Sequence, residues 1–133
     1  MGGKNAAIIL NDADLEKAIP GVVQGAFGST GQRCTATSRV IVENGIYDEF
    51  METLIIQTKA LSIGDGMDES NDVAPLSSKN QLDTVLRYIG IGTEEGARLT
   101  FGGHQLESEE FADGYYIEPV SYTHLTLPTT PYV

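Results

Sequence analysis

In this 133-residue sequence, Cys34 is the residue best suited to covalent chemistry, and it is the only cysteine. It lies in the segment FGSTGQRCTATSRVIV (27–42), after a glycine-containing loop of the kind that lets the backbone approach a ligand closely. A thiolate is a strong nucleophile, and Arg33 supplies a positive charge in the neighbouring position. A lone cysteine is also typical of a small buried side chain that only fills a core. The local residues therefore leave two interpretations open, a nucleophile and an inert packing residue.

A cysteine hydrolase is a further hypothesis, and it requires a histidine that takes the proton from the thiol. The sequence contains two histidines, His104 in FGGHQLESEE and His124 near the C-terminus. His104 lies in a run typical of an exposed acidic loop, and His124 lies in a segment unlike the rest of the chain. A thiol hydrolase or esterase therefore has little support from the residues.

Composition narrows the possible partners. The net charge of −11 argues against nucleic acid, which is bound through clusters of Lys and Arg, and equally against an anionic membrane surface. The apolar runs are too short to span a bilayer, so we expect no membrane partner. One cysteine cannot form an internal disulfide or a cysteine-rich zinc site, so we expect no metal site and a reducing, cytoplasmic location.

Strand and helix patterns alternate around the cysteine. AAIIL (6–10) and SRVIVE (38–43) are typical of buried strands, the second in a parallel sheet covered on both faces. Helical spacing marks LEKAIPGVVQGAF (15–27), in which Pro20 and Gly21 predict a kink or two shorter helices. Further patterns predict a helix in IYDEFMETLIIQTKAL (46–61), with one apolar face formed by Phe50, Met51, Leu54, Ile55 and Leu61, and a second helix around Leu82 to Ile89. Strands are predicted in ARLTFGG (97–103) and GYYIEPV (114–120). This alternation predicts an α/β fold with parallel pairing.

The ordered set of segments resembles the aldehyde dehydrogenase superfamily. MGGKNAAIILNDADLEKA is similar to the family's Glu-(Leu/Met)-Gly-Gly-Lys segment with its following strand and helix, and GQRCTATSRVIV to its cysteine loop. IYDEF, APLSSKNQLDTVLRYI, EEGARLTFGG and GYYIEP follow in the family's order. The resemblance covers residues 1–119 and implies part of the catalytic domain, with an incomplete parallel-type sheet and flanking helices.

The resemblance also implies a function and a set of site residues. The enzyme would oxidise an aldehyde, such as a carboxylated semialdehyde, to the acid with NAD or NADP. Cys34 would be the catalytic nucleophile, forming a thiohemiacetal and then a thioester. Met1 and Gly2 match positions that flank the nicotinamide, although a strand-entry turn explains them equally well. Arg33 and Thr35 would line the aldehyde pocket, and a purely structural role for Arg33 stays open.

Several parts of the family's active site have no counterpart in the chain. The general-base glutamate would stand immediately before Met1, and the nucleotide-binding domain lies further upstream in the family. We therefore expect the isolated chain to be inactive. The resemblance also implies that the parent enzyme is a homodimer or homotetramer. The alternative is a non-catalytic, truncated or oligomerisation module with an inert Cys34.

The C-terminal segment has a different character from the rest. VSYTHLTLPTT (120–130) resembles the in-frame translation of a transposon adapter used to prepare sequencing libraries. We therefore expect 120–133 to be a non-native tail, and we exclude it from the prediction of the fold.

Overall fold

The computed structural model describes residues 3–123, which fall into two compact units that divide between Leu76 and Ser77. The first unit contains strand β1, helix α1, strand β2 and helix α2, and the second contains helix α3 and strands β3 and β4. Their bounds are β1 Asn5–Ile9, α1 Leu15–Phe27, β2 Thr37–Val42, α2 Tyr47–Lys59, α3 Lys79–Glu94, β3 Leu99–Phe101 and β4 Ser121–Tyr122.

Strands β1 and β2 form a two-stranded parallel sheet, as the sequence predicted. Ala7 pairs with Val40 and Ile9 with Val42. Two parallel strands cannot be joined by a tight turn, and α1 supplies the crossover between them. Strand β2 begins three residues after Cys34, so the cysteine lies just before the N-terminal end of this strand.

The core of the first unit lies between this sheet and helices α1 and α2. Ile19 of α1 and Phe50 of α2 are fully buried, because each belongs to an apolar stripe that repeats at helical spacing. The buried cluster consists of Ile9, Ile19, Val22, Val23, Phe50 and Leu54. The apolar face predicted for α2 is therefore confirmed.

The other face of the sheet is open in the described residues. Ile8 and Ile41 are register partners on that face and are 66% and 52% exposed. The prediction of a sheet covered on both faces is therefore not met here, because the buried cluster packs on one face only.

Helix α1 runs unbroken through Pro20, so the alternative of two shorter helices is wrong. Proline removes one helical N–H, which leaves the carbonyl of Glu16 without its usual partner. Both Pro20 and Glu16 are exposed, so water can satisfy this carbonyl. The cost of the proline is therefore low at this position.

The second unit combines α3 with a short antiparallel pair, β3 and β4. The Ser78 side chain caps α3 by accepting a hydrogen bond from the Gln81 backbone N–H at 3.2 Å. The strand predicted over 114–120 does not form at that length: the segment contributes an isolated bridge between Ile117 and Gln105, flanked by backbone hydrogen bonds of Tyr116 and Glu118. Pro119 has no N–H to donate to a ladder, which limits pairing in this segment. Of the predicted tail, the structure describes residues 120–123, which include β4.

Candidate active site

Cys34 lies in a turn between α1 and β2, and its side chain is exposed. The Ala36 N–H donates to the Arg33 carbonyl oxygen at 3.1 Å, which closes the turn around the cysteine. Ala36 is buried and anchors the far side of the turn. The exposure of Cys34 contradicts the interpretation of this cysteine as a buried packing residue of the described structure.

The turn before the cysteine is left-handed over three successive residues. Ser29, Thr30 and Gly31 have φ values of 54°, 58° and 66°. This conformation costs about 1–2 kcal/mol for each residue that carries a Cβ. Two hydrogen bonds hold it in place: Gln32 N–H to the Ser29 carbonyl at 3.0 Å and the Thr30 hydroxyl to the Ala74 carbonyl at 2.9 Å.

Gly31 has a geometric role in this turn. Its φ is positive, and a Cβ at this position would lie 2.9 Å from the carbonyl oxygen of Ala26. Any larger residue would therefore meet both backbone strain and a close contact. This supports the sequence-based interpretation that Gly31 shapes the backbone of the loop.

Asn5 connects β1 to the cysteine loop. Its Nδ2 donates to the carbonyl oxygen of Cys34 at 2.8 Å and to that of Ala36 at 3.1 Å. An amide nitrogen carries two hydrogens, so both bonds can form together. The first residue of β1 therefore holds the backbone on the C-terminal side of the cysteine.

Arg33 turns back towards helix α1. Its Nη2 donates a long hydrogen bond, 3.5 Å, to the Gln24 carbonyl near the end of the helix. A Cβ at Gly28 would lie 2.9 Å from the same nitrogen, so glycine makes room for the guanidinium. The last turn of α1 contains no basic residue, and Arg33 supplies a cation where the helix dipole favours one.

The remaining residues considered for the site are Thr35, Met1, Gly2 and the two histidines. Thr35 is exposed beside Cys34, and its place in an aldehyde pocket stays a prediction. Met1 and Gly2, predicted to flank the nicotinamide, lie outside the described residues, as does His124. His104 belongs to the second unit and not to the unit that holds Cys34.

Residues 3–123 contain neither a cluster of metal ligands nor a membrane-spanning helix. No group of three or more His, Cys, Asp or Glu side chains in this range is placed to hold a metal ion. No helix in the same range is long and apolar enough to cross a membrane.

Sequence reasoning missed the roles of Asn5 and Thr30. Asn5 stands at the first position of an otherwise apolar strand, where a polar side chain is a weak signal of a contact beyond the strand. Thr30 stands in a glycine-punctuated loop, and nothing in the sequence pointed to its partner, Ala74, 44 positions away.

Comparison with known proteins places the chain among dehydrogenases. The family model described as the aldehyde dehydrogenase family matches residues 1–127. The chain is 51% identical over 130 residues to the alpha-ketoglutaric semialdehyde dehydrogenase of Bacillus subtilis (strain 168), which covers 98% of the chain and 27% of that protein. It is 46% identical over 125 residues to malonate-semialdehyde dehydrogenase 1 of Oceanobacillus iheyensis, covering 94% and 26%.

A solved structure shows the same fold. The betaine aldehyde dehydrogenase of Staphylococcus aureus, in complex with NAD+, matches with a TM-score of 0.91 at 34% identity, over 94% of this chain and 25% of that one. The chain thus spans about a quarter of the length of the curated relatives it matches, 27% and 26% in the two cases above. The family match extends past residue 119, and both the non-native tail and its boundary at residue 120 stay predictions.

Proposed function

We propose that this chain, which belongs to the aldehyde dehydrogenase family, carries the nucleophile of an enzyme that oxidises an aldehyde to the carboxylic acid with NAD or NADP. The observation that carries the proposal is Cys34, exposed in a turn whose backbone is held by Asn5. A nucleophile needs both an accessible sulfur and a fixed backbone, and this turn provides both.

The chemistry begins with addition of the Cys34 thiolate to the aldehyde carbonyl carbon. A sulfur–carbon bond forms, and the carbonyl oxygen becomes an oxyanion that the Cys34 backbone N–H would stabilise. A nicotinamide held beside Met1 and Gly2 would supply the acceptor for a hydride. Once this carbon has lost a hydride with its electron pair, the carbonyl re-forms as a thioester on Cys34. Water then adds to the thioester, the carbon–sulfur bond breaks, and the thiolate of Cys34 is released with the acid. A base outside this chain takes the proton of the water.

A nicotinamide site beside Cys34 is compatible with the described residues. Asn5 follows Gly2 by three positions, and its side chain reaches the Cys34 carbonyl. The described start of β1 therefore lies next to the cysteine loop, as a cofactor site that includes Met1 and Gly2 requires. This contact supports the assignment of both residues to the cofactor.

The proposed substrate is a semialdehyde with a carboxylate at its other end. The two relatives described above are named for alpha-ketoglutaric and malonate semialdehydes, both of which carry a carboxylate. Arg33 is the cation nearest to Cys34 in the sequence, and its bond to Gln24 is long and weak at 3.5 Å. It can exchange this partner for a carboxylate, which accepts a stronger charge-assisted bond.

The activity belongs to a longer enzyme, and the isolated chain lacks it. The relatives are about four times as long, since the chain covers 27% and 26% of the two. The exposed pair of Ile8 and Ile41 supports this proposal, because parallel sheets are ordinarily covered on both faces. The enzyme is proposed to be cytoplasmic and a homodimer or homotetramer, which sedimentation of the full-length protein would test.

The test uses the full-length protein that contains this segment. Reduced nicotinamide is measured with a carboxylated semialdehyde and with a neutral aldehyde of equal length, for the wild type, Cys34→Ala and the control Ser38→Ala. We expect Cys34→Ala to abolish the reaction, and Ser38→Ala, at an exposed position of β2, to retain it. Undiminished activity of Cys34→Ala would refute the proposal. Alkylation of Cys34 that neither aldehyde nor NAD(P) slows would favour the non-catalytic alternative.

A further inference from the structure

We propose that Asn5 is a positioning residue for Cys34, because its side-chain amide clamps two carbonyl groups of the cysteine loop in the conformation in which the thiolate reacts. The inference rests on the proposed function, in which Cys34 is the nucleophile. Asn5 itself contacts only the backbone of the loop and is assigned no contact with substrate or cofactor.

The clamp lies at the N-terminal end of the β1–β2 ladder. The β1–β2 ladder starts at the pair of Asn5 and Thr37, and its register shifts before the next pair, Ala6 with Arg39. The three residues before Thr37 therefore lie beyond the ladder. The Asn5 amide reaches two of them, Cys34 at 2.8 Å and Ala36 at 3.1 Å, and so extends the attachment of the loop to β1.

The two bonds constrain the geometry of the nucleophile. The Cys34 carbonyl and the Cys34 side chain share one Cα, so fixing the plane of this carbonyl restricts the direction of the Cα–Cβ bond. On the other side of Cys34, the left-handed turn of residues 29–31 restricts the chain. Without the Asn5 amide, the left-handed turn of residues 29–31 would still restrain the chain before Cys34. After Cys34, the bond from the Ala36 N–H to the Arg33 carbonyl would still close the turn around the cysteine.

The clamp also joins two parts of the proposed site. The segment that precedes Asn5 contains Met1 and Gly2, which are assigned to the nicotinamide. The Asn5 side chain thus links the start of β1 with Cys34, the residue that would hold the reacting carbon. A misplacement of reacting groups by about 1 Å can slow an enzyme by about 10²-fold. The slowed steps would be acylation of Cys34 and hydride transfer, while affinity for NAD(P) would change little.

The experiment compares variants at position 5 in the full-length protein. Asn5→Val removes the donor and favours a strand, so an exposed first position of β1 is expected to tolerate it. Asn5→Gln keeps the amide. Asn71→Ala is the matched control, because the Asn71 amide also donates to a backbone carbonyl, that of Asp65 at 3.2 Å, within a loop away from the cysteine.

The measurements are single-turnover formation of reduced nicotinamide, the pH profile of Cys34 alkylation by iodoacetamide, and the thermal midpoint. For Asn5→Val we expect a fall in the single-turnover rate of about 10-fold, the equivalent of one to two hydrogen bonds, and an altered alkylation profile. Asn5→Gln should recover part of the rate, and Asn71→Ala should leave both readouts unchanged.

Two results would overturn the inference. Wild-type single-turnover rate and alkylation profile in Asn5→Val would show that the amide has no effect on Cys34, whatever the thermal midpoint. Should Asn5→Val not fold, an Asn5→Gln protein with a lowered thermal midpoint but a wild-type rate and alkylation profile would show that the amide serves the fold alone. Activity retained in Cys34→Ala is a different outcome, because it removes the proposed nucleophile and with it the proposed function.

Discussion

The hydroxyl of Thr30 donates a 2.9 Å hydrogen bond to the carbonyl oxygen of Ala74, 44 residues further along the chain. This bond attaches the left-handed turn before Cys34 to the end of the long loop that follows α2. The loop is organised by its own bonds, in which the Asp72 carboxylate accepts from the backbone N–H and the hydroxyl of Ser62, both at 2.9 Å. The conformation of the cysteine turn thus depends on a distant segment of the first unit.

Thr30→Val should loosen the turn that precedes the cysteine. The substitution keeps the β-branched shape but loses the hydroxyl donor, which leaves the Ala74 carbonyl without this partner. We expect the free energy of local opening to fall by about 1 kcal/mol. Native-state hydrogen exchange of the Gln32 amide, which bonds across the turn to Ser29, measures this opening. Thr30→Ser retains a hydroxyl and should exchange as slowly as the wild type, whereas equally fast exchange in both variants would contradict the role of the bond.

Gly31→Ala should destabilise the same turn more strongly. The left-handed φ of 66° and the 2.9 Å approach of a Cβ to the Ala26 carbonyl both oppose a side chain. We expect a loss of at least about 1–2 kcal/mol from the backbone conformation alone. The control is Gly21→Ala inside α1, where a Cβ meets nothing within 4 Å, so that helix propensity should raise stability by about 0.5–1 kcal/mol. Thermal midpoints that move in the same direction for both variants would refute this prediction.

Arg33→Ala separates two roles of one side chain. At the end of α1 the loss of the cation should cost about 0.3–1 kcal/mol of stability, and less at high salt. In the proposed pocket it should raise the KM for a carboxylated semialdehyde by on the order of 10-fold, the value of a hydrogen bond between charged groups, with kcat little changed. Steady-state kinetics with a neutral aldehyde of equal length provides the comparison, and Arg39→Ala, at an exposed position of β2, is the control variant. An equal rise in KM for both aldehydes would exclude a contact between Arg33 and the substrate carboxylate.

Acid should loosen the loop that holds Ala74. Hydrogen bonds from the Ser62 backbone N–H, and then from the Ser62 hydroxyl, lower the pKa of Asp72 below its ordinary value of 3.8. A lowered folded-state pKa means that the stabilisation is fully present above the ordinary value and is lost as the pH falls through the lowered one. Hydrogen exchange of the Gly64 amide, which bonds to the Val73 carbonyl, should therefore accelerate in this acid range beyond its intrinsic pH dependence.

Asp72→Asn provides the control for the acid prediction. The amide carries no charge, so the variant should open more easily at neutral pH and lose the additional acid dependence. Asp68, whose pKa is lowered by the Ser70 backbone N–H and then by the Ser70 hydroxyl, remains in this variant and should contribute a smaller residual dependence. An acid response of Asp72→Asn as large as that of the wild type would contradict the assignment to Asp72.

Local patterns were sufficient to predict the elements that surround Cys34. The period of apolar residues predicted β1, β2 and α2, because burial of one strand or one helical stripe follows from residue spacing alone. It also placed Phe50 and Leu54 on the buried face of α2, where the structure has them. The segment 114–120 pairs only around Ile117, in a bridge with Gln105, because apolar spacing predicts burial and not the length of the partner segment. Tyr116 is buried there against the ring of Phe111, at 5.0 Å between centroids.

By itself, the sequence determined the parallel strand pair and Cys34 as a candidate nucleophile, because both depend on residue types at short spacing. It also indicated the family, through the resemblance of its ordered segments. Only the tertiary structure decided that Cys34 is exposed, that Arg33 turns back to α1, and that Asn5 reaches the cysteine loop. The reason is distance along the chain: Asn5 and Cys34 are 29 residues apart, and their contact exists only because the β1–α1–β2 crossover brings the start of both strands together. No local pattern encodes such a contact, since it depends on the folded path of every residue between the two.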